Sequence, residues 1–181
     1  MRWIWIDRFL EFHSGKSARA VKNLSLAEDH FADHFPGYPV MPASLMLEGL
    51  AQTGGILVGE ANDFREKVVL AKIPRAAFRR EVLAGERLVY EVELLHLRPE
   101  GASVLGRVYA SRKDSDFPPE AQIAEAEIFF AHLDRSRSQQ LFGETNFVFT
   151  GEMRHLLGRF VPAKTNSVGN NQPSAVSDQT G

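Results

Sequence analysis

A chain of 181 residues, 44% hydrophobic and 24% charged, has the length and composition of one ordinary domain with its own core. A formal net charge of −2 gives no general field for nucleic acid or anionic membrane, and the lack of cysteine excludes disulfides, thiolate zinc sites and cysteine nucleophiles. The opening apolar run is broken at Asp7, too early for a signal-peptide core, and no window approaches the ~18 apolar residues of a membrane span. A soluble cytoplasmic protein is expected.

Residues 3–12 are aromatic and branched and predict a strand or a strand plus turn. Ser14-Gly15-Lys16 marks a turn, and residues 18–24 alternate as a partner strand. From Ser25 to Met41 the chain reads as loop with at most a short helical turn. Pro42 suits the first helical position, where its missing N–H costs nothing. A helix is predicted over 43–59, apolar around most of its girth and therefore buried on nearly all sides. Strands are predicted at 68–72, 76–82, 88–98, 102–112 and 122–133, separated by turn signals such as Pro99-Glu100-Gly101 and a polar stretch holding Pro118-Pro119.

Residues 1–134 read as one domain and 135–163 as a C-terminal extension with a short helix at 152–157. The polar residues 164–181 read as a disordered tail. This order of elements predicts an α+β fold, a long central helix wrapped by an antiparallel sheet, whose outer helix end is left for a second subunit.

The most informative stretch runs from His34-Phe35-Pro36-Gly37-Tyr38-Pro39-Val40-Met41-Pro42 into Ala43-Ser44-Leu45-Met46-Leu47-Glu48-Gly49-Leu50-Ala51-Gln52. Three prolines and a glycine stiffen the loop, so the imidazole of His34 is held in place. An acid within an apolar helix has its charged form disfavoured, which suits Glu48 to donate a proton. Helix spacing puts Ser44, Glu48 and Gln52 on one face. Gln52 is read either as orienting Glu48 or as a packing amide, and Ser44 as a helix cap or spectator rather than a nucleophile. His30 and His34 form an H-x-x-x-H pair, but Pro36 follows at once and no third ligand is evident, so no metal site is expected.

This loop and helix resemble the FabZ-type (3R)-hydroxyacyl-(acyl carrier protein) dehydratases of the FabA/FabZ hotdog family, whose His-Phe-Pro-Gly-x-Pro and Leu-x-x-Glu-(Ala/Gly)-x-Ala-Gln patterns are matched from His34 to Gln52. Ile6-Asp7-Arg8 and Val21-Lys22-Asn23 are similar to two further family segments, and the likeness spans residues 4–133. The resemblance implies a hotdog fold in a homodimer or trimer of dimers, with His34 of one copy facing Glu48 of another. It implies dehydration of a carrier-bound 3-hydroxyacyl chain to a trans-2-enoyl thioester in fatty acid or related lipid synthesis, without metal or redox cofactor. His34 would remove the C2 proton and Glu48 would protonate the leaving hydroxyl. The backbone N–H of Ala43, at the positive end of the helix, would donate to the thioester oxygen. Ala43 stands where the family has glycine, Ser44 where it has an apolar residue, and Asp33 where it has glycine before the histidine.

Gly37 supports the loop, and Phe35, Tyr38, Met41 and Phe78 are candidates to line an acyl tunnel, with core packing the alternative for each. Lys72, Arg75, Arg79 and Arg80 belong to a basic run opposed locally only by Glu66, read as a docking face for an acidic carrier protein and its phosphopantetheine arm or as a solvated strand face. The rival functions are a hotdog acyl thioesterase, with Glu48 activating water, and a catalytically weak binding or scaffold subunit.

Overall fold

The computed structural model describes residues 3–111, 121–133 and 156–157. Its elements are β1 (Arg8–His13), β2 (Ser17–Asn23), α1 (His30–Asp33), α2 (Ala43–Ala61), β3 (Lys67–Phe78), β4 (Arg87–Arg98), β5 (Gly101–Ser111) and β6 (Ala121–Leu133). The strands form one sheet in the order β1-β2-β4-β5-β6-β3, antiparallel at every step.

Strand alternation sorts the side chains into two faces. On the inner face Ala20, Tyr90, Val108 and Ala124 stand opposite one another across β2, β4, β5 and β6. All four are buried beneath α2. On the outer face one row of alternating charge crosses the whole sheet. Glu11 pairs with Arg19 (2.7 Å), Arg19 with Glu91 (3.6 Å), Glu91 with Arg107 (3.5 Å), Arg107 with Glu125 (3.8 Å) and Glu125 with Arg75 (3.1 Å). The first four of these pairs stand directly opposite across neighbouring strands, where opposite charges stabilise one register over its neighbours, and Arg75 reaches Glu125 diagonally, its direct partner being Glu127.

Helix α2 is buried on every side from Gln52 to Gly59. Its first turns are not: Met46, Gly49 and Leu50 are buried, Leu47, Glu48 and Ala51 half-buried, and Ala43 and Ser44 exposed. The expectation of burial on nearly all sides therefore applies to the second half alone, because the sheet does not reach around the helix start.

Two predicted elements change. Residues 68–72 and 76–82 are not two strands; β3 runs unbroken through Pro74, with irregular register between Leu70 and Lys72 and between Lys72 and Arg75. Proline is tolerated there because β3 is an edge strand and Pro74 falls in the irregular stretch between Lys72 and Arg75, outside the paired register. Residues 3–7 lie outside β1, drawn off by contacts described below. Of the helix expected at 152–157 only Leu156 and Leu157 are described; they form a turn, and Leu157 joins the core. The polar separator at 112–120, the domain boundary at 134 and the tail at 164–181 lie outside the described residues.

Candidate active site

The histidine loop is a closed local structure. The backbone N–H of Tyr38 donates to Phe35 O (2.9 Å) and that of Phe35 to Tyr38 O (3.0 Å), while Val40 N–H returns to His34 O (2.9 Å). Pro36 and Gly37 occupy the two central turn positions, and Gly37 has φ +80°, a conformation that a side chain would strain. The loop is tied to the β3–β4 connection by Met41 N–H to Val82 O (2.8 Å) and by the Tyr38 hydroxyl to Glu81 Oε2 (2.8 Å). That bond to Glu81 is the main reason the Tyr38 phenol is held above its ordinary pKa.

His34 stacks on Phe35, with ring centroids 4.0 Å apart, and its Nδ1 lies 3.4 Å from Val40 O. The tautomer this contact selects carries its proton on Nδ1 and leaves the Nε2 lone pair open. His30, four residues earlier, packs against Trp5 (5.3 Å) and Phe31 (4.2 Å). Burial lowers the His30 pKa, with Lys22 and His34 acting in the same direction and Glu28 and Asp29 opposing.

Pro42 caps α2 with no side-chain cap bond, and its carbonyl accepts from Leu45 (3.0 Å) and Met46 (3.2 Å). It therefore precedes the first helical residue, one place earlier than expected, and Ser44 is not the cap. Ala43 is the first helical residue, so its N–H is one of those a helix start leaves without an intrahelical acceptor.

Glu48 is half-buried, not sealed among apolar side chains, because it lies on the open face of the helix start. Its Oε1 accepts from Gln52 Nε2 (2.8 Å) and from the Trp3 indole Nε1 (3.1 Å). Gln52, buried one turn on, also donates to Trp3 O (3.1 Å) and accepts from Trp5 N–H (2.8 Å). It is thus more than a packing amide. With two donors on Oε1, the proton of the neutral acid belongs on Oε2. Within one chain, among the described residues, His34 and Glu48 make no hydrogen bond or ion pair with each other.

Phe35, Tyr38 and Phe78 are exposed on the single chain, so a tunnel along them needs a second surface to close it. Met41 is instead a core residue, turned inward as its backbone binds Val82. The basic run is more heavily opposed than its local sequence indicates: Arg75 meets Glu125 (3.1 Å) and Arg80 meets Glu86 (2.9 Å). Lys72 and Arg79 are exposed. Trp3 and Trp5 carry only a strand signal in the sequence; their contacts with Glu48 and Gln52 join segments 45 to 49 residues apart, for which local spacing gives no signal, while Asp7 binds Asn23, 16 residues on.

Among the described residues, one long helix held against a six-stranded antiparallel sheet, with a histidine loop leading into that helix and a carboxylate on its second turn, defines a hotdog-fold protein. A model of the FabA-like domain family matches residues 3–114. A 3-hydroxyacyl-(acyl-carrier-protein) dehydratase FabZ of Pelotomaculum thermopropionicum is 39% identical over 130 residues, covering 71% of this chain and 87% of that protein. The enzyme of the same name from Listeria welshimeri is 37% identical over 133 residues, covering 73% and 87%. Among solved structures, a thioesterase family protein of Silicibacter pomeroyi superposes with TM-score 0.56 at 16% identity, over 70% of this chain and 83% of that one. A conserved protein of Pseudomonas aeruginosa does so with TM-score 0.52 at 17% identity, over 70% and 87%. The structural likenesses establish the fold, and the sequence matches the family: the chain belongs to the FabA-like family.

Proposed function

We propose that this protein is a 3-hydroxyacyl-(acyl carrier protein) dehydratase, acting in the cytoplasm in the synthesis of fatty acids or related lipids. His34 Nε2 takes the C2 proton. Glu48 gives its Oε2 proton to the C3 hydroxyl, which leaves as water, and a trans-2-enoyl thioester forms. The proton then passes from the imidazolium back to the carboxylate, resetting the site. The N–H of Ala43 and the helix start stabilise the charge that develops on the thioester oxygen.

The observation that carries this reading is the pairing of a rigid base, with Nε2 open, and a carboxyl group with one oxygen already engaged, on adjoining elements of a chain belonging to this family. The family resemblance sets His34 of one copy against Glu48 of another, and the productive pair is read as drawn from two copies. The half-open start of α2 and the exposed edge strand β3, with Leu70 and Phe78 uncovered, support a homodimer or an assembly of dimers. Phe35, Tyr38 and Phe78 would then line the acyl channel. Lys72 and Arg79 are the docking residues for the phosphopantetheine-bearing carrier, with Arg75 and Arg80 reaching it from their carboxylate partners.

A spectrophotometric hydration–dehydration assay tests the reading. Wild type interconverts 3-hydroxyacyl and trans-2-enoyl thioesters, whereas His34→Ala and Glu48→Gln each lose about a hundred- to ten-thousand-fold in rate. Carrier release from a saturated acyl thioester, without that interconversion, would instead assign a hydrolase.

A further inference from the structure

We infer that Trp3 is a positioning residue for Glu48, and that the segment from Trp3 to Trp5 is a clamp deciding which carboxyl oxygen carries the exchangeable proton. This rests on the dehydratase reading of the site. The segment holds both ends of the Gln52 amide. A backbone N–H can only donate and a backbone C=O can only accept, so Trp5 N–H takes the amide oxygen and Trp3 O takes the amide nitrogen. That fixes the flip of the amide and aims its second N–H at Glu48 Oε1. The Trp3 indole, a donor with no acceptor, reaches the same oxygen. A proton on Oε1 would face two donors, so it is confined to Oε2, and rotation that would exchange the oxygens is opposed.

The clamp is rooted in the sheet. Asp7 donates its N–H to Val21 O (2.7 Å), and its Oδ2 accepts from Asn23 N (2.8 Å) and Asn23 Nδ2 (2.9 Å). The Ile6-Asp7-Arg8 and Val21-Lys22-Asn23 segments thereby anchor the chain just beyond Trp5. Trp5 is buried and meets Trp3 edge-on at 5.5 Å. Trp3 itself is 57% exposed, so its ring adds little to the core, and its distinctive contribution is the indole N–H on Glu48.

The test uses the full chain and hydration of trans-2-butenoyl-(acyl carrier protein). Trp3→Phe keeps the ring and removes the N–H; kcat falls about tenfold while KM and the melting temperature hold. A second readout needs no turnover. The sequence has two tryptophans, so Trp5→Phe leaves Trp3 as the sole indole emitter, and adding Glu48→Leu must shift its emission. Wild-type kcat in Trp3→Phe, or Trp3 emission indifferent to Glu48→Leu, overturns the clamp. A wild-type chain lacking hydratase activity would overturn the dehydratase reading instead, and the emission experiment would still decide the clamp.

Discussion

Gly49 lies so close to Tyr90 that a Cβ on the glycine would sit 2.2 Å from the ring carbon Cζ. Tyr90 is fully buried on β4, and burial raises the pKa of its phenol. The ring has nowhere to retreat. Gly49→Ala gains about 1 kcal/mol of helix propensity but incurs about 1–3 kcal/mol of overpacking. The expected result is a net loss of stability in urea unfolding, with reduced kcat because the displaced residue follows Glu48.

Gln52→Leu should damage stability and catalysis together. It strips a hydrogen-bond partner from Trp5 N–H and Trp3 O and a donor from Glu48. Leaving a buried backbone donor unsatisfied costs about 1–3 kcal/mol, so the urea midpoint drops along with kcat. Wild-type stability in Gln52→Leu would show that these bonds have no net weight.

Much of this architecture is readable in local sequence. Pro36-Gly37 announces a turn, Pro42 a helix start, and the alternation of β4, β5 and β6 their pairing, because each depends on residues a few places apart. The continuity of β3 is not readable, since Pro74 looks like a break until the strand is known to lie at an edge. The contacts of Glu48 with Trp3 and the charged row from Glu11 to Arg75 depend on tertiary placement and register, which residue types alone do not specify. Glu125 and Glu86 escape a local count of charge around the basic run for the same reason.

The outer row gives a prediction of its own. Arg107 lies near Glu91 (3.5 Å), Glu93 (3.9 Å) and Glu125 (3.8 Å), so Arg107→Glu gathers like charges at its centre. A loss of about 1 kcal/mol is expected at low salt, shrinking as salt screens the repulsion. Urea midpoints at low and high ionic strength measure both; a deficit independent of salt would mean that packing, not charge, holds this residue.

His30 makes stability depend on pH. Burial lowers its folded pKa below the ordinary 6.5, whereas the unfolded chain titrates near that value. Between the lowered value and 6.5 the unfolded state binds more protons, so stability rises with pH through that window. It is full above the window and is lost as pH falls through the folded value. Replacing His30 by Phe should flatten this acid limb in pH-dependent urea unfolding, and an unchanged slope would show that another group produces it.

The central claim is that His34 of one copy works with Glu48 of another, and co-expression of His34→Ala with Glu48→Gln addresses it most directly. Each mixed dimer retains one intact pair and forms one doubly defective pair. Random assembly should therefore restore about a quarter of wild-type dehydratase activity from two nearly inactive parents. Activity no greater than the average of those parents, in a sample verified to contain mixed dimers, would contradict it.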